Sequence, residues 1–294
     1  MAGLLRERRF DAGALEINYA EGPPTGPAFV LLHGGSTRWQ YGTAFLEALA
    51  ERWHVYAPDL RGHGASGHVP GRYSLRDYAA DTAAFLAGVV GQPAVVYGHS
   101  LGGEIAVMVA AERGALVRAI IVGDAPLTIE SHATEEPEHR AQNVLWHRLA
   151  GRPADEIDAA LREMPVRPPG AAEARPAAEV FGQDSPWFAF HAVSLARLDP
   201  DMLAAVLAGP RVMLAGYDPE RLLPAIAAPV LLLQGDPAAG GTLRDDEVAM
   251  ALRLLPRGAH VRLSGIGHTL HALPGHDREV LRAIEPFLAS LAAT

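Results

Sequence analysis

The 294-residue chain is 49% hydrophobic and carries a net charge of −9, with 34 acidic residues set against 25 arginines and no lysine. Its length and apolar content exclude a disordered chain and suit one large α/β domain with room for an insertion. An acidic balance without a basic cluster argues against a nucleic-acid partner, and the lack of cysteine excludes thiol nucleophiles, disulfides and thiolate metal sites.

The N-terminus reaches Arg6, Glu7, Arg8 and Arg9 too soon for a secretory leader, and no apolar run approaches membrane-spanning length. The expected location is therefore the cytoplasm, with no membrane partner. Residues 4–10 and 14–20 read as two opening strands around the turn Asp11-Ala12-Gly13. A loop dense in Gly and Pro, 21–27, leads to an apolar strand at 28–32, which runs into His33-Gly34-Gly35-Ser36, and 41–52 then reads as a helix.

The strand at 54–57 is followed by Gly62-His63-Gly64-Ala65-Ser66-Gly67, a literal Gly-x-Gly-x-x-Gly. A dinucleotide site needs a helix to begin inside that motif so that the pyrophosphate meets free N–H groups. His68, Val69, Pro70 and Gly71 follow instead, so the motif reads as a structural loop. The next helix, 74–90, opens on Ser74 with Asp77 in its first turn, a pattern that fits an N-cap.

The stretch 93–113 organises the chain. A buried strand at 94–97 meets Gly98-His99-Ser100-Leu101-Gly102, and helix formers follow from 103 to 112. Strand, tight turn and helix place Ser100 at the apex, where flanking glycines let strand and helix pass closely. A further strand spans 117–123 and ends at Asp124. From 127 to 224 the alternation lapses into helical pieces such as 140–149 and 154–163, a Pro-rich loop at 165–176, and the aromatics Trp146, Trp187, Phe188 and Phe190. This reads as a helical insertion, with the core formed by 1–126 and 225–294. Strand 229–234, helix 246–255 capped by Asp245 or Thr242, strand 261–263 and helix 277–291 complete the chain. Strands alternating with helices imply a mostly parallel sheet covered on both faces.

In such a sheet, active groups gather at the carboxyl ends of the strands. Four of those ends carry Gly34-Gly35, Ser100, Asp236 and His268. A serine needs a base to take its proton during attack; an imidazole suits this near neutral pH, and a carboxylate orients it. The backbone N–H groups of Leu101 and Gly35 are the natural pair to hold the resulting oxyanion.

His33-Gly34-Gly35, the run from Asp59 to Ser66, Gly98-His99-Ser100-Leu101-Gly102-Gly103 and Gly265-Ile266-Gly267-His268 together resemble the motifs of the α/β-hydrolase fold superfamily, in its serine-nucleophile branch with a helical cap. The resemblance implies an eight-stranded, mostly parallel sheet with helices on both faces. It also implies a cap over the site at 127–224, and hydrolysis of a small-molecule substrate without a cofactor. Because the elbow carries Ser and not Asp, the chain does not resemble the dehalogenase or epoxide-hydrolase branches. Relatives usually place their acid three residues after the glycine that ends the strand following the cap. Here that glycine is Gly235 and the position is Ala238, so Asp236 is the first candidate for the acid and Asp124 the alternative.

The remaining histidines read as structural. His33 and His99 are expected to hydrogen-bond loop backbone, His63 belongs to its loop, and His132, His139 and His147 are expected to face solvent. His268 and His271 have a spacing that zinc uses, but nothing nearby completes a ligand set, so no metal is expected. The function expected is hydrolysis of a small, fairly apolar ester or related acyl substrate. Hydrolysis of a carbon–carbon bond by the same apparatus stays open, as does a ligand-binding, receptor-like member with weak turnover.

Overall fold

In the computed structural model, which describes residues 4–133, 137–168, 171–272 and 275–292, the strands in chain order are β1 (Arg6–Asp11), β2 (Glu16–Glu21), β3 (Ala28–Leu32), β4 (His54–Pro58), β5 (Ala94–His99), β6 (Val117–Gly123), β7 (Pro165–Val166), β8 (Arg175–Pro176), β9 (Val230–Gly235) and β10 (Gly258–Leu263). Residues 1–3, part of the N-terminus read above for a leader, lie outside the described residues, as do 169–170 within the Pro-rich stretch. All strands but β7 and β8 join one sheet in the order β1-β2-β4-β3-β5-β6-β9-β10. The β1–β2 and β2–β4 pairs are antiparallel and every other pairing in the sheet is parallel. The expected α/β-hydrolase fold class is the one observed.

The helices are α1 (Thr43–Leu49), α2 (Leu75–Phe85), α3 (Leu101–Glu112), α4 (Ile129–Ala133), α5 (Pro137–Leu149), α6 (Ala154–Glu163), α7 (Ala177–Phe181), α8 (Pro186–Ala196), α9 (Pro200–Leu207), α10 (Pro210–Met213), α11 (Pro219–Leu222), α12 (Asp245–Leu254) and α13 (His276–Ala292). The central strands are apolar throughout because both faces are covered. In β3, Ala28, Val30 and Leu32 face the layer built with α2, α3 and α12, whereas Phe29 and Leu31 face α1 and α13.

Local chemistry sets the helix starts. Ser74 Oγ accepts from the Asp77 N–H while the Asp77 carboxylate accepts from Ser74, the reciprocal cap expected from those two residues. At α12 the outcome differs from the expected Asp245 or Thr242 cap. Arg244 occupies the cap position and its N–H donates to Glu247 Oε2 at 3.1 Å, because Thr242 is drawn into another contact. Residues 41–52 begin as a 3-10 turn, Trp39–Gly42, before α1. The Pro-rich stretch contains the antiparallel pair β7–β8, which proline tolerates because such short strands need few ladder donors.

Helices α4 to α11 are inserted between β6 and β9. Within them α6 packs on α8 and α5 on α9, and Trp146, Leu161, Phe188 and Leu195 extend one core layer upward. No helix among the described residues is long and apolar enough to cross a membrane.

A very close backbone approach lies at the end of β5. A Cβ on Gly98 would lie 2.0 Å from Gly102 O, so strand and helix can pass there only with glycine at this position. Gly98→Ala is expected to cost about 3 kcal/mol of stability, the upper range for overpacking against rigid backbone. Urea unfolding reads this directly, and a midpoint equal to wild type would contradict the described packing.

Candidate active site

Ser100 joins β5 to α3 at φ 52° and ψ −121°, a conformation that side-chain-bearing residues rarely adopt. Its own N–H is tied to Gly123 O at 2.9 Å, and its carbonyl accepts from Gly103 N–H at 2.7 Å, so the bend is held on both sides. Leu101 opens α3, and the first N–H groups of a helix have no intrahelical acceptor. A Cβ built on Gly34 would lie 3.3 Å from Ser100 Cβ and 3.0 Å from His99 Nδ1. The Gly34-Gly35 turn therefore borders the serine, and the two expected N–H donors, Gly35 and Leu101, come from the segments that flank it.

His268 lies beyond the end of β10, with its ring centroid 4.8 Å from that of His99. Its Nδ1 is 2.8 Å from Asp124 Oδ2. Asp124 has no exposed surface and also accepts from the N–H groups of Thr242, Gly235 and Leu243, at 2.8, 2.9 and 3.1 Å. Burial alone would raise its carboxyl, but the His268 hydrogen bond and charge, with the Thr242 and Gly235 donors, outweigh that and hold it at about 2. Thr242 Oγ1 donates to Asp124 O at 2.6 Å and lies 3.1 Å from His268 Nδ1.

Asp236, the first candidate for the acid, makes no such contact. Its carboxylate accepts from Ala238 N–H at 2.9 Å and Gly265 N–H at 2.8 Å, capping the turn after β9 and tying it to the loop before His268. Those two backbone bonds hold its pKa below the usual carboxylate value. The reason lies in the loop: residues 240–243 wrap around the end of β6, presenting N–H groups to Asp124 and leaving Asp236 on the outside. The carboxylate on the imidazole is thus the alternative candidate. Thr242 and Glu247 carried no motif signal for the parts they play here. Glu247 is buried and accepts from the N–H groups of Leu127 and Thr128, where the insertion leaves the core.

The other histidines are mostly scaffold. His33 donates from Nδ1 to Gly34 O and accepts from Leu60 N–H, and His63 donates from Nδ1 to Arg61 O and accepts from Ser36 N–H. These bonds lock the Gly62–Gly67 loop to the turn at Gly34-Gly35. No helix begins inside that loop, in keeping with its structural reading. His99 Nε2 donates to His268 O at 2.6 Å, linking the residue before the serine to the backbone of the imidazole. His271 is buried against Tyr97 OH at 2.8 Å, and among the described residues no group of three or more His, Cys, Asp or Glu side chains is placed to hold a metal. His139 is exposed as expected and His147 is half-buried, but His132 turns inward onto the buried Glu104 of α3 because that carboxylate needs a partner.

Burial lowers His33 and His191 to about 4 and His63 and His271 to about 3. A base with a folded pKa below its unfolded value near 6.5 stabilises the fold fully above that value, and the contribution is lost as pH falls toward the folded one. With these four groups taking up protons on unfolding, stability is expected to fall by up to about 5 kcal/mol per pH unit near pH 5. Urea titrations at pH 7.5, 6.5, 5.5 and 5.0 measure the slope; a flat profile would mean that the buried rings are not held neutral.

A family model described as the alpha/beta hydrolase family matches residues 29–283. Over 133 residues, the chain is 32% identical to 2-(acetamidomethylene)succinate hydrolase of Mesorhizobium japonicum, a match that covers 45% of this chain and 48% of that protein. The chain thus aligns with about half the length, or less, of the curated relatives it matches. Among solved structures, E-2-(acetamidomethylene)succinate hydrolase superposes with a TM-score of 0.70 at 20% identity, covering 96% of this chain and 99% of that one. A malate-bound thermophilic esterase from Thermogutta terrifontis superposes with a TM-score of 0.70 at 21% identity, covering 97% and 99%. At these identities the likeness of the structures is one of fold.

Proposed function

This chain belongs to the alpha/beta hydrolase family, and from that premise we propose that it is a serine hydrolase acting on a small, fairly apolar ester or related acyl substrate. The observation that carries the reading is the 2.8 Å contact between His268 Nδ1 and the buried Asp124 carboxylate, with the His268 ring packed on His99, the residue before a serine held at positive φ. With Nδ1 donating to Asp124, the lone pair of His268 sits on Nε2 and can accept the Ser100 hydroxyl proton. Ser100 Oγ attacks the carbonyl carbon, and the N–H groups of Leu101 and Gly35 take up the oxyanion. Collapse of the tetrahedral species expels the leaving group, which receives the proton from Nε2. Water, deprotonated by the same nitrogen, then releases the acyl group and restores Ser100.

Asp124 takes the orienting role in this scheme and Asp236 a structural one. The insertion at 127–224 acts as the cap, with Met202 of α9 close above Gly35 and Phe190 of α8 beside Tyr41. Two relatives are named for hydrolysis, one of 2-(acetamidomethylene)succinate and one of esters, which supports hydrolysis of a small molecule here.

Fluorophosphonate labelling with the adduct mapped by mass spectrometry tests the nucleophile: Ser100 carries the label, and Ser100→Ala loses both label and steady p-nitrophenyl acetate turnover. Asp124→Asn is expected to lower kcat by up to about 10⁴-fold, since the wrong tautomer of the imidazole is then favoured. Asp236→Asn should retain kcat within about threefold, because its bonds are to backbone at the turn. Equal losses in the two variants would remove Asp124 from its assigned role.

A further inference from the structure

Among the described residues Arg38 has no ion-pair partner, in a chain rich in carboxylates. It lies three residues after Gly35, half-buried, and its Nε is enclosed with no acceptor. None of the ion pairs among the described residues includes it. The two carboxylates whose charge reaches it are already engaged. Asp59 accepts from the N–H groups of Trp39 and Ala65 and from Asn18 Nδ2, and Glu7 accepts from Trp39 Nε1 and Gln40 Nε2. Arg197, just after α8, is a second cation with no acid partner among the described residues, and it is near enough for its charge to act on Arg38. Burial first, and that like charge second, hold Arg38 below the ordinary arginine range.

The guanidinium lies over the ring of Phe190, with Cζ 4.9 Å from the centroid. One face is therefore covered, and the donors that remain point outward in the guanidinium plane. A planar carboxylate takes such donors two at a time, which neither a neutral ester nor an alkyl group can do. The position connects to the serine through aromatic contacts. Phe190 is 5.4 Å from Tyr41, and Tyr41 stacks at 6.1 Å on His99, the residue before Ser100. Ring contacts thus run from His99, next to Ser100 in the chain, through Tyr41 and Phe190 to Arg38.

We propose that Arg38, with Arg197 nearby, binds a carboxylate carried by the substrate at the end remote from its scissile carbonyl. The acyl group would lie along Tyr41 and Phe190 and end in an anion. This names the substrate class of the site above and rests on the reading of Ser100 as nucleophile, so its test has one arm that needs no turnover.

In the first arm, kcat/KM is measured for mono-p-nitrophenyl glutarate and for its methyl ester. The ratio of the two should favour the free carboxylate in wild type, fall about tenfold or more in Arg38→Gln, and be partly retained in Arg38→Lys, as expected for loss of a charge-assisted contact. It should also fall with rising ionic strength. In the second arm, glutarate binding to the Ser100→Ala protein is followed by calorimetry, and adding Arg38→Gln should weaken it about tenfold. If Arg38→Gln does not fold, Arg197→Gln and the salt dependence of the wild-type ratio replace it. A wild-type ratio that ignores the carboxylate, or glutarate binding that is absent or indifferent to Arg38, overturns the proposal. Glutarate binding that depends on Arg38, in a protein whose Ser100 takes no label, would instead uphold the anion site and sink the hydrolase reading.

Discussion

A carboxylate with no exposed surface, at the end of β6, is the constraint on which the site geometry depends. An unpaired buried charge is costly enough that a protein either neutralises it or surrounds it with donors. Asp124 is surrounded: the Gly235, Thr242 and Leu243 N–H groups and the His268 ring converge on it from the end of β9, the following loop and the loop after β10. Each bond removes a freedom from a different segment. Together they fix where β6, β9 and β10 end relative to one another, and so where the imidazole stands. Asp124 itself sits at φ 44°, a strained conformation that this set of partners sustains.

The elbow obeys a second constraint, that of volume. Gly102 would place a Cβ 2.3 Å from Leu32 O, and Gly98 one even closer to the backbone of α3. Three backbones meet where side chains would otherwise stand, and this brings the Gly34 turn, the serine and the first turn of α3 into one small region. Nearness here comes from the removal of atoms, whereas at Asp124 it comes from the pairing of charge.

The strands and the close crossing were legible in the sequence; the pairing of charge was not. Apolar runs such as 28–32 and 117–123 are long enough and uniform enough to mark buried parallel strands, and the glycines around Ser100 mark a close crossing. Ser74 with Asp77 announced a helix start, because its cap is a local matter of three residues. The choice between Asp236 and Asp124 was not local. Both follow a strand-ending glycine, and the difference lies in how residues 240–243 wrap, which joins positions more than a hundred residues apart. His132 misled for a similar reason: its segment is polar, but the buried Glu104 that draws it inward sits on α3. Arg38 gave no signal at all, since an unpaired cation differs from a paired one only in what lies around it in space.

Burial also sorts the many histidines of the site into distinct parts. His33 and His63 have both ring nitrogens committed to backbone, and burial holds both rings neutral well below physiological pH. A ring held in that way makes a rigid strut but a poor proton carrier, since it cannot accept charge without losing its solvation and its bonds. His99 donates to the carbonyl of His268 and is likewise held well below its ordinary value, first by burial and then by the charge of His268 beside it. His268 alone among these rings has a carboxylate on one nitrogen and 34% of its side chain exposed. Its neighbours exclude charge from their own rings and fix the loops on which it stands, while the Asp124 carboxylate holds its Nδ1. The division sets the proposed base apart from the rings that serve as struts.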